Sequence, residues 1–345
     1  MRAALPRLLP AVKLPGRSPC FRAGERKRLR GKGDHVHSTS KRDFLTGLGL
    51  LAGMAAAPAF AQNAPMNKAV VDPMAPPPAA PPPKALPNRM ARTTKLFKAP
   101  GFYPNGLALA PEGIWVAQQF LTDEVSRQVG ISRPPGKESI WLMDWNGKLL
   151  NTVTSNAINT SGLACGGGSL WPMSNTFDAS TGVHQVNLAT GKEVAQRQIP
   201  SSPGNKSGGI HGAQWHEGKL WIVNNRMHSI VCVNPTSWII ETQFPIAAPM
   251  GLTRYHDITF DRDGTMLQVI ANESTSHTNS VAALVRYDVR TGEPIETLTL
   301  VPGSCDPHGL ENHNGTLVAC DAGFHPGWKN FDSPSGGWVF SIDVI

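Results

Sequence analysis

The chain has 345 residues, of which 40% are hydrophobic and 17% charged, so it can bury a sizeable core in one large domain or two ordinary ones. Its formal net charge of +7 is unevenly spread, because residues 1–61 carry 12 of the 32 basic residues but only 3 of the 25 acidic ones. Residues 62–345 carry 20 basic against 22 acidic side chains, which argues against a nucleic-acid-binding surface there.

The basic N-terminal segment has the pattern of an export signal. Charged residues up to Asp43 precede a short apolar run, which ends on small residues and predicts cleavage after Ala61. The charged motif resembles the twin-arginine export motif, with Lys41 in place of the first arginine, so the general secretory route is the alternative. Export signals normally begin close to their charged motif, and residues 1–35 extend well before it. Translation could therefore start at Met1 or at Val36. We expect a periplasmic or secreted protein with no stable membrane insertion after cleavage.

A proline-rich linker follows the signal over residues 62–91. Its run from Pro73 to Pro83 has too little apolar surface to pack and favours an extended polyproline II spacer. The sequence therefore predicts three segments: the signal with its basic extension over 1–61, the linker over 62–91 and a folded domain over 92–345.

The folded domain contains five similar hairpins. In each, an apolar strand leads through a glycine-containing turn into a second apolar strand that ends in polar residues. The turn glycines recur every 46 to 55 residues, at Gly113, Gly168, Gly218, Gly264 and Gly315. A period of this size made of short strands is typical of a β-propeller.

Each hairpin is followed by two more predicted strands, which gives four strands per repeat, as a propeller blade needs. The fifth repeat ends after its third strand, Trp338–Asp343, and the segment Thr93–Phe97 is available to supply the fourth. The sequence predicts an all-β, five-bladed β-propeller with an N-terminal strand closing the last blade. Six blades, with one degenerate repeat, are the alternative.

Equivalent positions in the repeats place polar residues on one rim of the central channel. The first strands begin at His211, His256 and His308 in three successive repeats, and second strands end near Glu273 and Asp321. Several imidazoles with a carboxylate form a common ligand set for a divalent metal ion. We therefore predict a metal site of unknown identity formed by the three histidines and Glu273, with Glu273 or Asp321 acting as ligand or base. Histidines that only hydrogen-bond to neighbouring blades are the alternative.

Other polar residues share the predicted rim. Asn105, Asn175 and Asn225 are candidate substrate contacts, and Arg226 is a catalytic candidate that could anchor an anionic substrate or form a surface ion pair. His277 and His325 fall in or near loops on the same rim.

The positions of three tryptophans and two cysteines in the repeats indicate structural roles for these residues. Trp115, Trp171 and Trp221 occupy the same strand position in three repeats, which favours packing between blades over a ring of stacking platforms. Cys305 and Cys320 flank the fifth hairpin, which predicts a disulfide between them in an oxidising compartment.

The repeats Asn105–Val116 and Val285–Glu293 resemble the superfamily of small-repeat β-propellers. This superfamily includes gluconolactonase-like (senescence-marker) proteins, streptogramin lyases and glutaminyl cyclotransferases. Lactonase-like members bind a divalent metal through Glu, Asn and Asp, whereas streptogramin lyases use His and Glu, which is closer to the residue types found here. The resemblance implies metal-dependent hydrolysis, elimination or cyclisation of a small molecule. A non-catalytic propeller that binds a ligand or a protein partner is the alternative.

Overall fold

The structure is a computed structural model that describes residues 85–101, 103–120, 123, 126–127, 135–175, 182–199, 209–246, 252–271, 281–323 and 336–345. The predicted export signal and the linker before residue 85 lie outside the described residues. Within them, no helix has the length and hydropathy needed to cross a membrane.

Three predicted repeats form separate four-stranded antiparallel sheets, which we call units 1, 2 and 3. Unit 1 contains β2 (Pro104–Ala110), β3 (Gly113–Gln118), β4 (Ser139–Met143) and β5 (Leu149–Thr154). Unit 2 contains β6 (Thr160–Gly166), β7 (Ser169–Ser174), β8 (Gly182–Asn187) and β9 (Lys192–Arg197). Unit 3 contains β10 (Ile210–His216), β11 (Lys219–Asn224), β12 (Ser229–Val233) and β13 (Ile240–Pro245), with a 3-10 helix, Asn225–Met227, between β11 and β12.

The remaining described strands form one eight-stranded sheet made of two antiparallel halves, units 4 and 5. Unit 4 contains β14 (Arg254–Phe260), β15 (Met266–Ala271), β16 (Ala282–Tyr287) and β17 (Pro294–Leu300). Unit 5 contains β18 (Leu310–His313), β19 (Thr316–Cys320), β20 (Trp338–Val344) and the first of the described strands, β1 (Asn88–Lys98).

β1 supplies the fourth strand of unit 5, as the sequence predicts. Its residues from Ala91 to Lys98 pair antiparallel with β20. It also begins inside the predicted linker, and residues 88–91 pair in parallel with β17 of unit 4. This second pairing was not predicted, and it merges units 4 and 5 into one sheet.

The first strand of each unit lies innermost. Among the described strands, β2, β6, β10, β14 and β18 contact one another in this order, and β18 contacts β2, which closes a ring. Inner and second strands are buried on both faces by neighbouring units, so β3 is almost continuously apolar. The outermost strand β5 is exposed over most of its length.

Apolar clusters fill the spaces between consecutive units, including the space between unit 5 and unit 1. Trp115, Trp171 and Trp221 each belong to one of these clusters and are at least 93% buried. The prediction that these tryptophans pack between blades is therefore confirmed.

The turn glycines serve two different needs. Gly218 has a φ of 77°, a left-handed conformation that glycine adopts without the steric cost of a Cβ. Gly113 is required for close approach instead, since a Cβ there would lie 1.9 Å from the carbonyl oxygen of Met143.

Candidate functional site

The predicted rim residues lie where the inner strands are irregular. The ladder between first and second strands shifts register at Asn105 in unit 1 and Ser161 in unit 2, and across His211–Gly212 in unit 3 and His256–Asp257 in unit 4. Such bulges bend a strand and redirect a side chain. His308 occupies the corresponding place in the loop just before β18.

The structure brings His211, His256 and His308 together, and all three are buried. Nδ1 of His256 lies 3.1 Å from Nε2 of His211. The ring centroid of His256 lies 4.5 Å from that of His211 and 4.4 Å from that of His308. Three imidazoles from units 3, 4 and 5 therefore form one group, which we call the axial histidine cluster.

The loop before β18 fixes the orientation of His308. Its Nδ1 lies 3.2 Å from the carbonyl oxygen of Asp306, which can only accept, so Nδ1 carries a proton; in the neutral ring this leaves Nε2 as the acceptor nitrogen. Asp306 also pairs with Arg254, with 3.5 Å between the charged groups. Neither Asp306 nor Arg254 was predicted, although each stands two residues before a cluster histidine.

Asp321 is buried and supports this same loop. Its carboxylate oxygens accept hydrogen bonds from the backbone N–H groups of Asp306, at 3.1 Å, and Gly323, at 2.7 Å. These contacts give Asp321 a bracing role, and its predicted role as ligand or base stays a prediction. Glu273 lies outside the described residues. Arg226 lies in the 3-10 helix, and its side chain is outside what the structure describes.

The three rim asparagines hydrogen-bond within the protein. Asn175 Oδ1 accepts from Gly209 N at 3.0 Å, and Asn225 Nδ2 donates to Tyr255 O at 2.9 Å. Each of these bonds joins one unit to the next. Asn105 Nδ2 donates to Gln119 Oε1 at 2.6 Å within unit 1. These bonds support structural roles, and the predicted substrate contacts stay predictions.

Two buried carboxylates that the sequence did not suggest lie further along the inner strands. Asp257 accepts from backbone N–H groups of three units, and burial raises its pKa well above the ordinary value. Glu311 accepts from Leu109 N of unit 1 and from Gln214 Nε2 of unit 3, and burial raises the pKa of Glu311 to about 7. Two buried carboxylates therefore lie on the inner strands within three residues of His256 and His308.

The spacing of two nitrogens in the cluster is compatible with two ligands of one metal ion. Two nitrogens bound to one tetrahedral ion at about 2.0–2.1 Å lie about 3.3 Å apart, close to the 3.1 Å between His256 Nδ1 and His211 Nε2. A hydrogen bond from the other ring nitrogen to a carbonyl, as His308 makes, is the usual support for a ligating imidazole. Among the described residues, no group of three or more His, Cys, Asp or Glu side chains is arranged so that it could hold a metal ion.

The predicted disulfide is not formed in the structure, where Cys305 and Cys320 are free cysteines. Their side chains belong to different apolar clusters. Cys305 packs between units 4 and 5, and Cys320 packs between units 5 and 1. The two thiols therefore lie in clusters on opposite sides of unit 5, although both flank the same hairpin.

This architecture is β-propeller-like, and the comparisons with known proteins agree. No protein-family model and no curated protein sequence matches the chain. Among solved structures, it is similar to glutaminyl cyclase from Myxococcus xanthus, with a TM-score of 0.50 and 10% identity over 76% of this chain and 100% of that chain.

Two further solved structures are similar at lower scores. One is a luciferin-regenerating enzyme, with a TM-score of 0.44 and 12% identity over 74% of this chain and 95% of that chain. The other is a nidogen/laminin complex, with a TM-score of 0.40 and 12% identity over 64% of this chain and 73% of that chain. At these identities the likeness concerns the fold, and function must be argued from the site.

Proposed function

We propose that the chain is an exported β-propeller of five blades, in which units 1 to 5 are one blade each. Each unit matches one sequence repeat, and the contacts of the five first strands support a closed ring. The parallel pairing of β1 with β17 then connects two neighbouring blades at their outer edges.

The axial histidine cluster is the functional centre of this proposal. His211, His256 and His308 bind a divalent metal ion, with Glu273 as a further ligand, in an enzyme that acts on a small molecule. A divalent ion at such a site supplies Lewis acidity, which suits hydrolysis, elimination or cyclisation. The observation that carries this proposal is the convergence of three buried imidazoles, with two nitrogens 3.1 Å apart.

The residues around the cluster hold it in place. Asp306 orients His308 through its backbone carbonyl, and Asp321 fixes the loop that carries both residues. The M. xanthus glutaminyl cyclase gives an example of an enzyme with a similar fold, and cyclisation is accordingly one of the three reaction types proposed.

The test is elemental analysis of the purified protein beside a His211→Ala/His256→Ala/His308→Ala variant. We expect about one equivalent of a transition metal in the wild-type protein and none in the folded triple variant. His216→Ala is the matched control, since His216 lies at the other end of β10 and stacks on Phe260 with 3.7 Å between ring centroids. This control should keep its metal.

Metal-free wild-type protein that also resists reloading would contradict the metal site. A propeller that binds a ligand or a protein partner without catalysis would then be the better description.

A further inference from the structure

Asp257 breaks a pattern that the other four units share. The residue after each rim position is glycine in units 1, 2, 3 and 5, at Gly106, Gly162, Gly212 and Gly309. In unit 4 the residue after His256 is Asp257, which is completely buried.

The glycines are explained by close packing of the inner strands. A Cβ on Gly162 would lie 2.0 Å from the carbonyl oxygen of His211, and one on Gly212 would lie 2.3 Å from the Cα of Asp257. A Cβ on Gly309 would lie 2.9 Å from Leu107 N. A side chain at this position therefore needs a reason, because four of the five equivalent positions leave no room for one.

The hydrogen bonds of Asp257 supply this reason. Its Oδ1 accepts from Ala213 N at 2.8 Å and from Ile258 N at 2.9 Å, and its Oδ2 accepts from Leu310 N at 3.1 Å. These three donors belong to units 3, 4 and 5. Each donor stands two residues after a histidine of the cluster, in the order His211, His256 and His308.

One carboxylate is thus bonded at the same offset after each of the three histidines, and its bonds from Ala213 N and Leu310 N tie units 3 and 5 to unit 4. The Asp257 carboxylate can therefore fix the distances between these units next to His211, His256 and His308, whose side chains converge. Units 1 and 2, which contribute no histidine to the cluster, donate none of these three bonds.

We propose that Asp257 is the positioning residue of the axial histidine cluster, holding the strands of units 3, 4 and 5 at the spacing that lets His211, His256 and His308 share one ion. The metal-binding part of this role rests on the function proposed above, whereas the geometric part concerns the protein without metal.

The test compares Asp257→Gly and Asp257→Asn with the wild-type full-length protein. The glycine variant restores the residue of the other four units and removes all three bonds. The asparagine variant keeps the shape but places an amide donor against a backbone donor. Glu311→Gln is the matched control, because Glu311 is also a buried carboxylate of an inner strand but bonds Leu109 and Gln214 instead.

Two readouts separate positioning from general stability. Titration with Co²⁺ should show about 10- to 100-fold weaker binding in both Asp257 variants, because loss of a residue that orients metal ligands typically weakens binding by this factor. The Glu311→Gln variant should bind Co²⁺ with wild-type affinity. Nitrogen-15 NMR of the imidazoles in metal-free protein should show the hydrogen bond between His256 and His211 lost in Asp257→Gly and retained in the control.

The outcomes distinguish the two proposals. If the wild-type protein binds no Co²⁺, the metal site is wrong, and the NMR measurement still decides whether Asp257 positions the histidines. If folded Asp257 variants keep both the wild-type Co²⁺ affinity and the hydrogen bond, the positioning role is wrong and the metal site stands.

Discussion

Glu138 is a buried carboxylate that joins unit 1 to unit 2. It accepts hydrogen bonds from Phe120 N at 2.9 Å in unit 1, and from Asn159 N at 2.6 Å and Thr160 N at 2.8 Å at the start of unit 2. Burial raises the pKa of Glu138 to about 7, and the backbone donors only partly oppose this effect. The folded protein therefore holds this proton more tightly than the unfolded chain.

This pKa shift predicts how stability depends on pH. A carboxyl whose pKa is raised on folding favours the folded state most at low pH, and this contribution is lost as pH rises from about 4.5 through 7. A shift of this size corresponds to about 3 kcal/mol of unfolding free energy. Glu138→Gln should remove this contribution, so that its unfolding free energy falls less than that of the wild type between pH 5 and pH 8.

Urea unfolding at four pH values in this interval measures the difference. Glu311 is present in both proteins and contributes equally, so only the change in slope between them is informative. Parallel pH profiles for the two proteins would contradict the assignment.

At the scale of residues, the sequence predicted the site residues that recur at the same position in several repeats, and it did not predict those that occur in one repeat only. Three histidines at one repeat position predicted the convergence that the structure displays. Asp306 was missed because the residue two before the rim position is of a different type in every unit, and Glu138 was missed because nothing in the local pattern marks it as buried. Asp257 did carry a signal, as the one residue other than glycine at its repeat position.

At the scale of elements, the most informative strand is β1, which bonds to two units. β1 forms a ladder with β20. In addition, Pro87 O, just before β1, accepts from Thr297 N at 2.9 Å, and Ala91 O accepts from Val301 N at 2.8 Å. Asn88 Oδ1 accepts from the hydroxyls of Thr297 and Thr299, each at 2.8 Å. The edge of β17 is thus covered.

Removing this connection has a predictable cost. A chain beginning at residue 92 loses the pairing with β17 but keeps most of the pairing with β20. The four lost hydrogen bonds described above, at about 0.5–1.5 kcal/mol each, should lower the unfolding free energy by about 2–6 kcal/mol relative to a chain beginning at residue 85. Denaturant unfolding of the two chains measures this effect, and equal midpoints would show that residues 85–91 contribute nothing.

The hairpins could be predicted because glycine turns and apolar strands recur with a fixed period. The parallel pairing of residues 88–91 could not. Asn88, Arg89, Met90 and Ala91 show no alternation of apolar and polar residues, and they follow a proline-rich stretch that favours a linker. Only their contacts in the folded chain assign them to a strand.

At the scale of the whole molecule, charge separates the N-terminal segment from the folded part. The full chain has a formal net charge of +7, whereas residues 62–345 carry −2. We therefore expect full-length protein to bind a fluorescent DNA duplex at 50 mM salt and to lose most of this binding at 200 mM. Residues 62–345 should not bind at either concentration. Fluorescence anisotropy measures both, and binding by the shorter chain would contradict the absence of a nucleic-acid surface.

The ring itself could be predicted from the number and spacing of repeats, because each unit buries its apolar faces only against its neighbours. The merging of units 4 and 5 depends on β1, which no repeat pattern describes.

The pairing of β1 with β17 and β20 also sets the order of events during synthesis. β1 is the first strand of the propeller to leave the ribosome, and both of its partners follow about 200 or more residues later. Until then it has no native partner, so the pairing that joins β1 to β20 cannot form before β20 has been made. Contacts between such distant segments slow folding and leave strand edges open to other chains. We expect closure of the ring to be the last step of folding and the one most dependent on chaperones.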